Sequence, residues 1–357
     1  MKNILKMGSA FIGIIVGAGF ASGQEILQYF TSFGYIGVIG TIIATALFAY
    51  LGMTLTRLGS RMKATSHKDA IYKVSGRYLG VIVDYIIIFT LFGVGVVMIA
   101  GAGSILNQQF GLPTIAGITL MSILVVLTIM MNVDRVVAVI GSITPFLIIT
   151  VILLSIYSLS IMDSSFSELE PIAKESPSAL SHWLMSAINY VSFNIAVGAS
   201  MALLMGGAER DEKKAAIGGL VGGLGIGILI IISHLAIFAN VDVVASFDMP
   251  MLKIADDVSP ILGTIYSIIL FGMIFNTAVS MFFSFGARFT TVGTKKHKLF
   301  VLITGVIAFA LSFVGFTDLV AFFYPLIGYL GLFLIAALLI APFRMQAAKN
   351  KKSLAEG

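Results

Sequence analysis

Long apolar runs alternate along this chain with short polar loops, and the runs are too long for strands. A hydrocarbon core about 30 Å thick needs roughly 20 apolar residues per helical span. That ruler places spans at about 7–30, 35–56, 79–106, 114–131, 136–160, 182–206, 216–239, 260–286, 297–314 and 319–342. No run shows the alternation of an outer-membrane barrel strand, about ten residues long. The expected fold is an all-α polytopic membrane protein of ten transmembrane helices.

The loops orient these spans. Of the 22 basic residues, all but Lys174 and Lys253 fall on one side if the N-terminus is cytoplasmic, as the excess of Lys and Arg in cytoplasmic loops requires. The opposite loops at 161–181 and 240–259 are acidic, with Asp163, Glu168, Glu170, Glu175, Asp242, Asp248, Asp256 and Asp257. A missing or extra span would scramble this partition. Both termini are therefore expected in the cytoplasm and the chain in the cell membrane.

Composition agrees: 58% of residues are hydrophobic, 11% are charged, and mean hydropathy is +1.04. A soluble domain could not hide so much apolar surface. The net charge of +5 resides in loops, so it speaks to orientation and not to nucleic acid. Cysteine is absent and the four histidines are scattered, which removes thiol chemistry and gives no metal-ligand spacing. No Walker A pattern occurs, so transport driven by nucleotide hydrolysis is not expected. Nor do the spans carry a Ser/His/Asp or paired-carboxylate constellation, so no enzyme is expected. The first apolar run could be misread as a cleavable signal peptide, but its glycine-rich interruption recurs later in the chain.

That recurrence has an offset near 180 residues. Spans one and six both contain a Gly- and Ser-containing break, GAGFASG at 17–23 and VGAS at 197–200, and spans five and ten carry Pro145 and Pro325. Five spans per half reverse the direction of the second half. The expected organisation is a first five-helix repeat (1–160), an outer loop (161–181), a second inverted repeat (182–342) and a basic tail (343–357), all in one integrated unit.

Gly17, Gly19, Ser22 and Gly23 fall midway through span one, where each glycine costs a helix about 1 kcal/mol relative to Ala. Unwound backbone survives in lipid only when buried in protein or lining a cavity. Such a break offers amides to an anion and carbonyls to a cation. Close helix packing would call for the same small residues. The matching break at Gly198 to Ser200, with Asn194 before it, favours a binding centre, since paired interruptions in two halves point to one. Glu25 follows the first break, and an acid at membrane depth is functional by default, as proton carrier, gate or contact for an amine. In span eight, Asn276, Thr277 and Ser280 share a helical surface with Met273 one turn earlier and offer oxygens suited to a monovalent cation; Ser and Thr also bond back to their own helix. Asp84 is expected to snorkel or to pair with Arg77, His234 to be a helix contact, and the run Phe322, Phe323, Tyr324 to be packing.

These residues resemble a family. GAGFASG in a broken first span, with five helices repeated, is similar to the amino acid–polyamine–organocation superfamily with the LeuT fold. VGAGFASGQE, MPMLKIADDVSPILG and DLVAFFYPLIGYLG look more closely like the bacterial YkvI-type membrane proteins, grouped as amino acid permeases. The resemblance covers essentially the whole chain. It implies that helices 1 and 6 are discontinuous, and that backbone at Gly17, Ala18, Gly19, Phe20, Ser22 and Gly23, with Asn194, Gly198 and Ser200, binds the solute. It implies a sodium ion between Val16 and Gly19 on one side and Met273, Asn276, Thr277 and Ser280 on the other. The chain departs from the pattern where Asn276 replaces a hydroxyl and where span five has no Lys. Sodium or a proton remains open as the coupling ion, and no other cofactor is implied. Pro250 and Pro260 would bracket a short helix in an outer lid.

The expected function is cation-coupled symport of an amino acid or similar small zwitterion by alternating access around the two breaks. The alternative is a permease-like nutrient receptor on the same scaffold, without net transport. The expected partners are a small-molecule substrate and the lipid bilayer.

Overall fold

The computed structural model describes residues 2–64, 67–130, 144–162, 164–291 and 294–355. Helices fill nearly all of them, and no strand occurs among the described residues. The first span comes in three pieces, α1 (Lys2–Ile15), α2 (Ala18–Ser22) and α3 (Gln24–Tyr29), followed by a single 3₁₀ turn. Then come α4 (Tyr35–Met62), α5 (His67–Phe110), α6 (Thr114–Met130), α7 (Thr144–Ser160) and the short α8 (Phe166–Glu175). The second half holds α9 (Trp183–Ala208), α10 (Glu212–Phe238), α11 (Val241–Val244), α12 (Pro250–Val258), α13 (Pro260–Phe289), α14 (Lys295–Ser312) and α15 (Phe316–Ala355).

Five of these helices have stretches long and apolar enough to cross a bilayer, and α9 makes a sixth if its bend lies within one span. The apolar stretches Asn3–Ile15, Thr114–Met130 and Pro145–Ser160 are shorter. The start expected for span five, near 136, lies outside the described residues. Outward faces are apolar: Phe146, Ile149, Leu153 and Ile156, one stripe of α7, are all exposed. A stripe of that kind belongs against lipid chains.

One expectation differs from what the helices do. Span six was to be interrupted at 197–200, yet α9 runs on through these residues. It bends there instead, by 55° between Trp183–Ala199 and Met201–Ala208. A kink keeps most of the backbone paired, so it costs less in lipid than an open break. The basic tail continues α15 as helix to Ala355, because its Ala, Gln and Lys are good helix formers and no proline follows Pro342.

The helices sort into two packed groups. In one, α1, α4, α9 and α10 pack together; in the other, α5, α6, α13 and α14 do. Several contacts come in pairs that exchange the halves: α4 packs on α9 as α10 packs on α1, and α6 packs on α13 as α14 packs on α5. The first group approaches closely through small residues. A Cβ at Gly219 would collide with the Gly52 carbonyl and with Thr56 Oγ1, and one at Gly223 with the backbone of Phe48 and Ala49. Thr56 Oγ1 uses that proximity to donate to the Ala215 carbonyl at 2.7 Å. Here glycine serves contact alone.

At the end of the bundle holding the N-terminus, Asp211 caps α10 by accepting from the amides of Lys213 (3.0 Å) and Lys214 (3.2 Å). These bonds hold its carboxyl below the usual carboxylate range. Nearby, Arg61 pairs with Glu212 at 2.9 Å. At the other end, the segment around α12 is tied down. Asp248 accepts from Ser104 Oγ (2.6 Å) and Thr317 Oγ1 (2.5 Å), and Gln108 exchanges two bonds of 3.0 Å with the backbone of Met249. Pro250 opens α12 and Pro260 opens α13, each at a first turn where its missing N–H goes unmissed.

Candidate functional site

The break after α1 follows from local backbone geometry. Val16 and Gly17 leave the helix, and Gly17 caps α2 in an extended conformation (φ −98°, ψ −170°). Among the described residues, the amides of Ala18, Gly19 and Phe20 find no acceptor, and the carbonyls of Gly13, Ile14 and Val16 no donor. Beyond the break the chain is well satisfied. Tyr266 Oη donates to the Ala21 carbonyl at 2.6 Å, Ser186 Oγ to that of Tyr29 at 2.7 Å, and Ser22 Oγ to that of Gly19 at 2.6 Å. At the junction of α1 and α2, three successive amides and three nearby carbonyls are thus left unpaired among the described residues.

That junction borders a cavity of about 180 Å³ between the two helix groups. Its wall runs from exposed Gly13 through Val16, Gly17, Ala18 and Gly19 to buried Glu25. Opposite are Met273, Asn276, Thr277 and Ser280 of α13, with Asn194 of α9 completing the polar lining. Asn276 Oδ1 is buried and has no hydrogen-bond partner. A buried acceptor left unpaired costs about 1–3 kcal/mol, so it marks a place where a donor or cation belongs. Gly17 separates packing from site: a Cβ there would meet nothing within 4 Å. Contact between helices does not explain this glycine.

Gly23 turns the chain through the left-handed region (φ 84°), which side chains disfavour, and this turn folds α3 back over the break. Glu25 then points down at α2: a Cβ at Gly19 would overlap Glu25 Oε1 and lie 3.1 Å from Tyr324 Oη. Its other oxygen accepts from Tyr190 Oη at 3.2 Å. Among the described residues, Glu25 is the cavity's sole acidic or basic side chain.

Of the anticipated solute-binding residues, Gly17, Ala18, Gly19 and Asn194 line the cavity, and so do all the anticipated ion ligands. Phe20 is packed in the core. Ser22 spends its hydroxyl on its own helix. Gly23 abuts Met251, and Gly198 abuts Ile14 and Ile15; both allow close contact and neither lines the cavity. The Ser200 side chain lies outside the described residues. Sequence reasoning missed Val94 and Met98 of α5, together with Phe193. It took Tyr324 for packing, whereas Tyr324 stacks on Phe193 at 4.2 Å and lines the cavity with it. Asp84 is bonded to Arg288 of α13 at 2.5 Å, while the side chain of Arg77 lies outside the described residues. His234 contacts Thr31 Oγ1 at 3.0 Å and stacks on Phe238.

The overall arrangement of the helices has counterparts among solved structures. MhsT, in complex with L-phenylalanine, aligns with a TM-score of 0.63 at 18% identity, covering 92% of this chain and 87% of that one. Inward-facing Mhp1 aligns at 0.61 and 15%, covering 92% and 73%. A manganese transporter of Eremococcus coleocola aligns at 0.55 and 13%, covering 95% and 78%. The fold is the LeuT fold. In sequence, the chain is 27% identical over 341 residues to the uncharacterized membrane protein YkvI of Bacillus subtilis, covering 94% of each. It is equally identical over 338 residues to YyaD of the same organism, covering 95% of this chain and 96% of that one. No protein-family model matches. The chain is thus a polytopic membrane protein of LeuT fold and a relative of YkvI.

Proposed function

We propose that this protein is a secondary transporter of a small zwitterionic solute, an amino acid or a close analogue, driven by a sodium or proton gradient. The observation that carries the proposal is the α1–α2 junction, whose unpaired amides and carbonyls face a cavity that also holds the unpaired Asn276 Oδ1. Amides at Ala18 and Gly19 suit a carboxylate. The Val16 carbonyl, with Asn276, Thr277 and Ser280, suits a monovalent cation, because these are hard, neutral oxygens.

The transport cycle is rocking of the group containing α1, α4, α9 and α10 against the group containing α5, α6, α13 and α14. The cavity lies between them, and the half-exchanging contacts support an inverted repeat in which either tilt is available. MhsT holding L-phenylalanine and Mhp1 in an inward-facing state are further support. The basic loops support cytoplasmic termini.

The test is uptake into proteoliposomes. Saturable accumulation of one member of an amino-acid panel, dependent on an imposed sodium or proton gradient, is expected. Flux absent under every gradient, with solute binding retained, would leave the protein a receptor.

A further inference from the structure

The second helix group carries an apolar groove of about 390 Å³ on its outside, between α6 and α14 and away from the α1–α2 junction. Val126 and Met130 of α6 form one wall, and Leu302, Val306 and Phe309 of α14 form the other. At mid-groove the helices approach so closely that a Cβ at Gly305 would lie 2.8 Å from the Val126 side chain. The rims face outward, since Leu127, Leu302 and Val306 are exposed.

Membrane-spanning helices are apolar on every lipid-facing side, so apolarity alone assigns no occupant. Length and charge do. The groove follows α6 from Thr119 to Met130, a rise of about 17 Å. That is close to half of a hydrocarbon core about 30 Å thick, the depth one acyl chain occupies.

The charge lies at one end. Because α13 starts beside α12, it ends, and α14 begins, at the opposite end of the bundle. Lys295 and Lys298 precede Leu302 by seven and four residues, so they continue the groove-lining face of α14 beyond the groove. Both are exposed, and among the described residues neither meets a carboxylate. The first turn of a helix favours acids over bases, and α14 has no acid there. These lysines do not serve their own helix.

We propose that the groove seats an acyl chain of an anionic phospholipid from the leaflet at the N-terminal end of the bundle, with Lys295 and Lys298 on the lipid phosphate. A second copy of the chain fits this face poorly. A two-fold axis along the membrane normal would set the lysines against their own counterparts. The assignment is independent of the solute carried.

The test uses the full-length protein in detergent, titrated with phosphatidylglycerol or phosphatidylcholine of identical chains. Bound lipid is counted by native mass spectrometry, with thermal unfolding alongside. Wild type should hold phosphatidylglycerol about 30-fold more tightly than phosphatidylcholine and unfold at a higher temperature with it. K295Q/K298Q should lose most of that preference, whereas K6Q, at an exposed lysine of α1, should keep it. V306W, at a position 61% exposed, fills the groove and should weaken binding of both lipids without lowering the unfolding temperature of the delipidated protein. Equal binding of the two lipids by wild type would overturn the proposal, as would a preference that survives K295Q/K298Q. A dimer that V306W dissociates, with no lipid held by wild type, would overturn it in favour of a second copy.

Discussion

Glu25 Oε1 occupies the position a Cβ of residue 19 would take, so the carboxyl and the open backbone of α2 touch only because residue 19 is glycine. The substitution G19A must push Glu25 off the junction or strain α2. Overpacking of this kind costs about 1–3 kcal/mol. A lower unfolding temperature together with weaker solute binding is the expected outcome, read by thermal unfolding with and without ligand. Unchanged binding would separate Glu25 from the site.

Gly17 and Gly219 make a paired test of site against packing. A methyl at 17 meets open space, whereas one at 219 meets the Gly52 carbonyl. G17A should therefore alter solute affinity while shifting stability by no more than about 0.5 kcal/mol. G219A should destabilise by about 1–3 kcal/mol. Thermal unfolding of the two variants, side by side, decides it.

Asn276 leaves its Oδ1 buried and unbonded. Replacing it by leucine removes an unsatisfied acceptor and should stabilise the ligand-free protein by about 1 kcal/mol. The same change should erase any rise in unfolding temperature caused by sodium. A sodium response that survives in N276L would move the cation elsewhere.

Asp84 and Arg288 bridge α5 and α13 at partial exposure, 24% and 23%. D84N or R288Q alone strands a charge and should cost about 1–2 kcal/mol, a figure held down by solvent screening. The double variant should cost less than the sum of the two singles, which a double-mutant cycle in thermal unfolding reads directly.

Asp211 gives a pH signature at the opposite end of the scale of burial. Its carboxyl is held below the usual range by the amides it caps. The stabilisation is therefore present above the ordinary carboxylate pKa, about 3.9, and is lost as pH falls through the lower folded value. Asn also caps but does not titrate. D211N should match wild type near neutrality and lose less stability on acidification, measured as unfolding temperature against pH.

Most of the fold was legible because lipid forces the issue: apolar length and loop charge leave few arrangements. The first-span break was legible from Gly17, Gly19 and Gly23 for the same reason, since such a cluster has no place in a plain helix. Gly198 looked like its mirror but serves contact with Ile14 and Ile15, and a glycine in sequence does not say whether its neighbour is a ligand or another helix. Val94 and Met98 were invisible because an apolar residue facing a cavity is written like one facing the core. The Asp84–Arg288 pair spans 204 positions, beyond anything local pattern encodes.

Gln108 clasps the Met249 backbone, and hydroxyls hold Asp248, so the segment leading into α12 is fastened by contacts that a water molecule can imitate one at a time. Hydration loosens such a fastening. Hydrogen exchange at the Met249 amide should then slow when an excluded osmolyte is added.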